Sequence, residues 1–217
     1  MTLQTILSEL TRCFGTTFSL FLLTLVGSLP LGLLIALGRM SKNGLVSGIT
    51  RIYISIMRGT PLMLQLWIVF FGLPKLLPDI VTGNWRYIAA VIAFVINYAA
   101  YFAEIYRSGI ESIPRGQYEA ADVLGYGKVQ TFFKIILPQV IKIVLPSITN
   151  EVITLVKDTS LCYAIGVVEM FTRAKQIATL NGTLTSFVVA GVIYYIFNYV
   201  VDWVMLRFEK KLSYYKA

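Results

Sequence analysis

Histidine is absent from the 217 residues of this chain, and cysteine occurs only at Cys13 and Cys162. The first absence removes the commonest general base and metal ligand. The two cysteines have no metal-ligand spacing and make no disulfide framework. No catalytic residue and no metal site is therefore expected. Charge is scarce as well: Asp, Glu, Lys and Arg make up 14% of the chain, against about 25% in an average soluble domain. Acids are the rarer sign, 11 against 19 Lys and Arg, for a formal net charge of +8. Nucleic-acid binding needs a solvated basic face, whereas these Lys and Arg residues lie mostly between apolar runs. Nucleic acid is not an expected partner; membrane lipid is, with positive loops facing cytoplasm and anionic headgroups. The N-terminus lacks the basic region and cleavage site of a signal peptide, so it is expected to be retained.

What is abundant is apolar sequence, 57% of the chain. A helix needs about 20 predominantly apolar residues to cross a bilayer. The runs place spans near 14–37, 52–73, 87–103, 135–156 and 187–206, after a short amphipathic interfacial helix at 1–12. Loop 39–51 carries Arg39, Lys42 and Arg51 without an acid, and Arg207, Lys210, Lys211 and Lys216 follow the last span. The positive-inside rule then puts the N-terminus outside and the C-terminus in the cytoplasm, consistent with five spans. Trp67, Trp85 and Trp203 are expected as interfacial anchors. The expectation is an all-α membrane protein forming one domain over 1–217 in a cell membrane.

One polar loop stands out, Arg115-Gly-Gln-Tyr-Glu-Ala-Ala-Asp-Val-Leu-Gly-Tyr-Gly-Lys128. Gln117 to Leu124 are good helix formers, and Gly125 and Gly127 supply a stop. By composition alone this is an amphipathic connector. The longer pattern is Glu119-Ala120-Ala121, three residues, Gly125, nine residues, then Ile135-x-Leu137-Pro138. It resembles the "EAA" signature of ABC-importer permeases at every fixed position. Arg58-Gly-Thr-Pro-Leu62, Ala103-Glu-Ile-Tyr-Arg107 and Asn150-Glu-Val-Ile-Thr-Leu-Val-Lys-Asp-Thr-Ser-Leu161 look like the polar amino-acid uptake branch of that family.

The resemblance implies the type I ABC-importer transmembrane fold, in which this loop is a cytoplasmic coupling helix. Tyr118, Glu119, Ala120, Ala121, Asp122 and Gly125 then become the residues that meet the ATPase. It also implies the partners: two ATP-binding subunits, a second permease chain (identical or a close paralogue), and an extracellular solute-binding protein. ATP and Mg would be bound by the ATPase, since this chain has no Walker sequence and is expected to bind no cofactor.

Charge within a span marks a functional site by default. Glu151 and Asp158 are seven residues apart, which at about 100° per residue leaves them within about 20° of one helix face. Thr154 lies between them and Asn150 borders the stripe; Asn97 and Tyr98 add polar groups to the third span. One reading is a substrate site, in which the carboxylates receive an ammonium or guanidinium group. The other is structural, with Lys157 neutralising one acid and Glu151 bracing a neighbouring helix. Arg58 likewise either snorkels to the interface or pairs within the bundle. Glu104 and Arg107, three apart, are expected to form a helix pair.

The function expected from the resemblance is the permease subunit of an ATP-driven importer of polar or cationic amino acids. The alternative is an ion-coupled secondary amino-acid transporter with Glu151 and Asp158 carrying protons. An enzyme is not expected.

Overall fold

The computed structural model describes residues 1–81 and 83–212. These residues are helical nearly throughout. α1 (Leu3–Arg39) starts at Thr2, whose hydroxyl accepts the Thr5 N–H. It runs unbroken for 37 residues, about 55 Å at 1.5 Å per residue, well beyond the roughly 30 Å of a hydrocarbon core. The segment 1–12 is therefore not a separate interfacial helix but the first turns of α1. Part of its apolar face is covered by protein: Ile6 and Leu10 pack with Met170, Ala174, Ile177 and Ala190, while Leu3 and Leu7 stay exposed.

The second expected span, 52–73, is not one helix. It divides into α2 (Gly44–Gly59) and α3 (Leu62–Leu76), which meet at 112°. The cause is local. Pro61 has no N–H to continue the helix, and it forces the preceding residue out of the α region. Thr60 accordingly sits at φ −122°, ψ 147°. Among the described residues, four helices are each long and apolar enough to cross a membrane, and the bent pair brings the number to five if it counts as one span.

α4 (Trp85–Glu111) is the central helix. Its Ala89, Ala90, Ala93, Ala99, Ala100 and Ala103 are all buried, and small residues let helices approach closely where lipid gives no hydrophobic drive between them. A Cβ built on Gly32 of α1 would lie 2.8 Å from Phe102 Cβ and 3.0 Å from the Ala99 carbonyl oxygen. Trp85 belongs to this core rather than to an interface: it is buried, and its indole N–H donates to the Phe70 carbonyl at 3.1 Å.

α5 (Arg115–Val123) and the single turn α6 (Lys128–Thr131) connect α4 to α7 (Leu137–Asp158) through a π-helical turn at Phe132–Ile136. A 3₁₀ stretch at Thr159–Ile165 then leads to α8 (Met170–Asn181) and the last helix, α9 (Thr185–Leu212).

Candidate functional site

The polar loop folds as the sequence pattern requires. Leu124 caps α5, and Gly125 follows it at φ +75°. The Tyr126 N–H donates to the Ala121 carbonyl and the Gly125 N–H to the Asp122 carbonyl, both at 3.0 Å. That pair of bonds is a Schellman cap, which needs a left-handed residue where Gly125 stands. Nothing lies within 4 Å of a Cβ placed there. The glycine therefore serves backbone conformation, and room for close packing within the chain is not its reason.

The surface around this cap is apolar and open. Val123 is 87% exposed and Leu124 71%, with Val129 and Phe133 exposed beside them. Tyr118, Glu119, Ala120 and Asp122 also face outward. Ala121 does not: it is 1% exposed and turned into its own chain. The Ile-x-Leu-Pro part of the pattern is an anchor. Ile136 at its centre is fully buried with Ile110, Ile113, Val140 and Val144.

Inside the bundle, Arg58, Tyr101, Glu104, Ser108, Ser147 and Glu151 line a cleft of about 250 Å³. The Arg58 guanidinium lies 5.4 Å from the centroid of the Tyr101 ring, within the range of a cation–π contact. It shares the cleft with Glu104 and Glu151, and the residue as a whole is exposed. Glu104 is held by Arg107 on its own helix, and Arg107 also pairs with Glu111. Among the described residues no ion pair joins Arg58 to Glu151.

The acid stripe of α7 is divided between two environments. Glu151 opens onto the cleft. Asp158 accepts a hydrogen bond from the Tyr98 hydroxyl at 2.8 Å. Thr154 returns its hydroxyl to the Asn150 carbonyl of its own helix at 2.9 Å, and Asn150 is exposed. Asn97 is buried away from the cleft. Its Nδ2 donates to the Met57 carbonyl at 3.1 Å and to Gln65 Oε1 at 2.9 Å.

The sequence reading missed Glu169, which is 0% exposed. Its carboxylate caps α8, accepting the Phe171 N–H at 2.8 Å and the Thr172 N–H at 2.6 Å. It also accepts the hydroxyls of Thr172 at 2.9 Å, Tyr194 at 2.9 Å and Thr17 at 3.5 Å. Burial raises its pKa above the ordinary carboxylate value, and these donors oppose the rise. One acid thus joins α1, α8 and α9. Its position at a helix N-terminus behind an apolar pair, Val167-Val168, is the signal that would have identified it.

Residues 28–214 match the family described as the inner membrane component of binding-protein-dependent transport systems. The chain belongs to this family. Among relatives of this permease is the arginine transport system permease protein ArtQ of Bacillus subtilis (strain 168), 40% identical over 201 residues. That match covers 91% of this chain and 89% of ArtQ. The L-cystine transport system permease protein TcyB of the same organism is 37% identical over 203 residues, covering 93% of this chain and 85% of TcyB. A solved structure described as "Crystal structure of an amino acid ABC transporter with histidines" matches with a TM-score of 0.84 at 29% identity, over 94% of both chains. The permease has the type I ABC-importer transmembrane fold, and as a permease subunit it is not itself an enzyme.

Proposed function

We propose that this chain forms the translocation path of an ATP-driven amino-acid importer. The observation that carries the substrate assignment is the cleft between α2, α4 and α7, which presents charge of both signs within membrane-crossing helices. Arg58 suits an α-carboxylate and Glu151 an α-ammonium group, each through a charge-assisted hydrogen bond. At about 250 Å³ the cleft lies just below the range of about 300–1,000 Å³ for small-molecule pockets, a size that favours one amino acid over a peptide. The relatives named for arginine and cystine share only this α-amino-acid head. The Asp158–Tyr98 pair and the polar groups of Thr154 and Asn150 extend the route along α7, where Asp158 favours a cationic side chain.

The exposed face of α5, with Tyr118, Glu119, Ala120 and Asp122, docks on a cytoplasmic ATPase, while Ala121 and Gly125 set its shape. Two such chains around a two-fold axis, identical or paralogous, enclose the path; two ATPase subunits holding ATP and Mg drive it, and an extracellular binding protein delivers the ligand. The N-terminus is outside and the C-terminus cytoplasmic, as the Lys and Arg distribution favours. ATP binding closes the ATPase pair, α5 moves with it, and access alternates between the two sides. The motion is driven only to the extent that the ATPase contacts differ in energy between the two states.

Reconstituted vesicles test the proposal. Uptake of labelled amino acids should require the ATPase subunit and ATP. Uptake driven by a proton gradient without ATP would replace it with the ion-coupled reading.

A further inference from the structure

Pro61 is the fourth residue after Met57, so the Met57 carbonyl has no N–H available in its own helix. Two side chains from other turns of the bundle serve it instead. Gln65 Nε2 donates to Met57 O at 3.0 Å, and also to Thr60 O at 3.1 Å and Thr60 Oγ1 at 2.8 Å. Asn97 Nδ2 donates to the same Met57 oxygen at 3.1 Å and to Gln65 Oε1 at 2.9 Å. Gln65, Asn97 and the Met57 carbonyl thus close a triangle, with both side chains buried. One turn earlier on α2, the Tyr53 hydroxyl donates to the Ile96 carbonyl, so α2 is fastened to α4 at two successive turns.

Arg58 is the residue after Met57. Beyond the fastened carbonyl, α2 ends at Gly59 and the chain swings through 112° into α3. The ring under the guanidinium, Tyr101, stands one turn beyond Asn97 on the same helix. The triangle is therefore the last fixed point before Arg58, and it ties that point to the helix carrying the other wall of the cleft.

We propose that Gln65 and Asn97 are positioning residues for substrate: by holding the Met57 carbonyl they fix the reach of Arg58 into the cleft, where its guanidinium receives the carboxylate of an amino acid. This rests on the cleft reading above. A clamp that only repaired the helix break would support folding and leave ligand affinity unchanged. A clamp that aims Arg58 acts on affinity through that one side chain.

The test is equilibrium binding of a panel of labelled amino acids, cystine included, to the purified nucleotide-free complex with its ATPase. Arg58→Gln should weaken binding about tenfold, the scale of a lost charged hydrogen bond. Gln65→Met, close in shape but with no donor, should weaken it by a similar factor. The double variant should be no weaker than Arg58→Gln alone, because residues acting through one contact are not additive. Asn97→Leu, which removes the second donor to the same oxygen, should repeat the pattern and serves if Gln65→Met assembles poorly. Wild-type affinity in both clamp variants, or a double variant near a hundredfold weaker, would overturn the positioning role. No binding by the wild type, or unchanged affinity in Arg58→Gln, would instead sink the cleft reading beneath it.

Discussion

Gly125→Ala isolates backbone conformation from size at the end of α5. Gly125 has φ +75° and open space around its Cβ direction, so alanine clashes with nothing in this chain. It does carry the left-handed penalty, roughly 1–2 kcal/mol for a residue with a Cβ. That shifts the balance between the capped and uncapped loop by a factor of about 5–30. If docking requires the capped form, the apparent dissociation constant of the ATPase rises by at most that factor. Gly125→Asn should fall between Gly and Ala, since asparagine tolerates this region. Gly127→Ala is the matched control. Gly127 has φ −69° and ψ 156°, an ordinary conformation, and a Cβ there also meets nothing. Titrating nanodisc-embedded permease with labelled ATPase reads the result directly. Equal affinities for Gly125→Ala and Gly127→Ala would refute the conformational argument.

The remaining predictions concern the bundle. Folding raises the Glu169 pKa, so the folded state holds that proton more tightly than the unfolded chain. The stability this contributes is fullest below the ordinary value of 4.5 and is lost as pH climbs through the raised folded value. Thermal unfolding of the solubilised complex should show this decline, and Glu169→Gln should lack it. Gly32→Ala should destabilise by about 1–3 kcal/mol through overpacking against the α4 backbone. Gly15→Ala, with nothing within 4 Å, should be neutral or stabilising by up to about 1 kcal/mol; a lower melting temperature in both would show that the α1–α4 seam is not the cause. Tyr98→Phe takes the hydroxyl from Asp158 and should cost about 1–3 kcal/mol of stability, with reduced uptake; an unchanged melting temperature and uptake would make that bond incidental.

α5 and its cap were legible because local signals agree there: good helix formers, then glycine at the position in that loop where the backbone is left-handed. The Glu104–Arg107 pair was legible for the same reason, being a contact within one helix. What sequence spacing missed depends on partners distant along the chain. Seven-residue spacing put Glu151 and Asp158 on one face, yet Tyr98 from α4 takes Asp158 while the cleft takes Glu151. Asn97 read as a polar group at membrane depth, and only the arrival of Gln65 and the Met57 carbonyl shows it bracing a helix end. Hydropathy merged α2 and α3 because both are apolar, although Pro61 was visible. The question that would have helped is where the unpaired carbonyl four residues before that proline finds its donor.

The elbow at 59–61 has a consequence for motion. A backbone without an N–H at Pro61 lacks that rung of the helical ladder in every state of a transport cycle. Pro30 shows that a missing rung alone need not break a helix, since α1 runs through it; at the elbow Gln65 also binds the Met57 and Thr60 carbonyls, and α2 and α3 are two short rods that share a joint. Displacement of the first rod is passed to the second through the joint and through the Gln65 side chain that bonds across it. The same joint confines bending to one place, which leaves each rod free to keep its own neighbours while the angle between them changes.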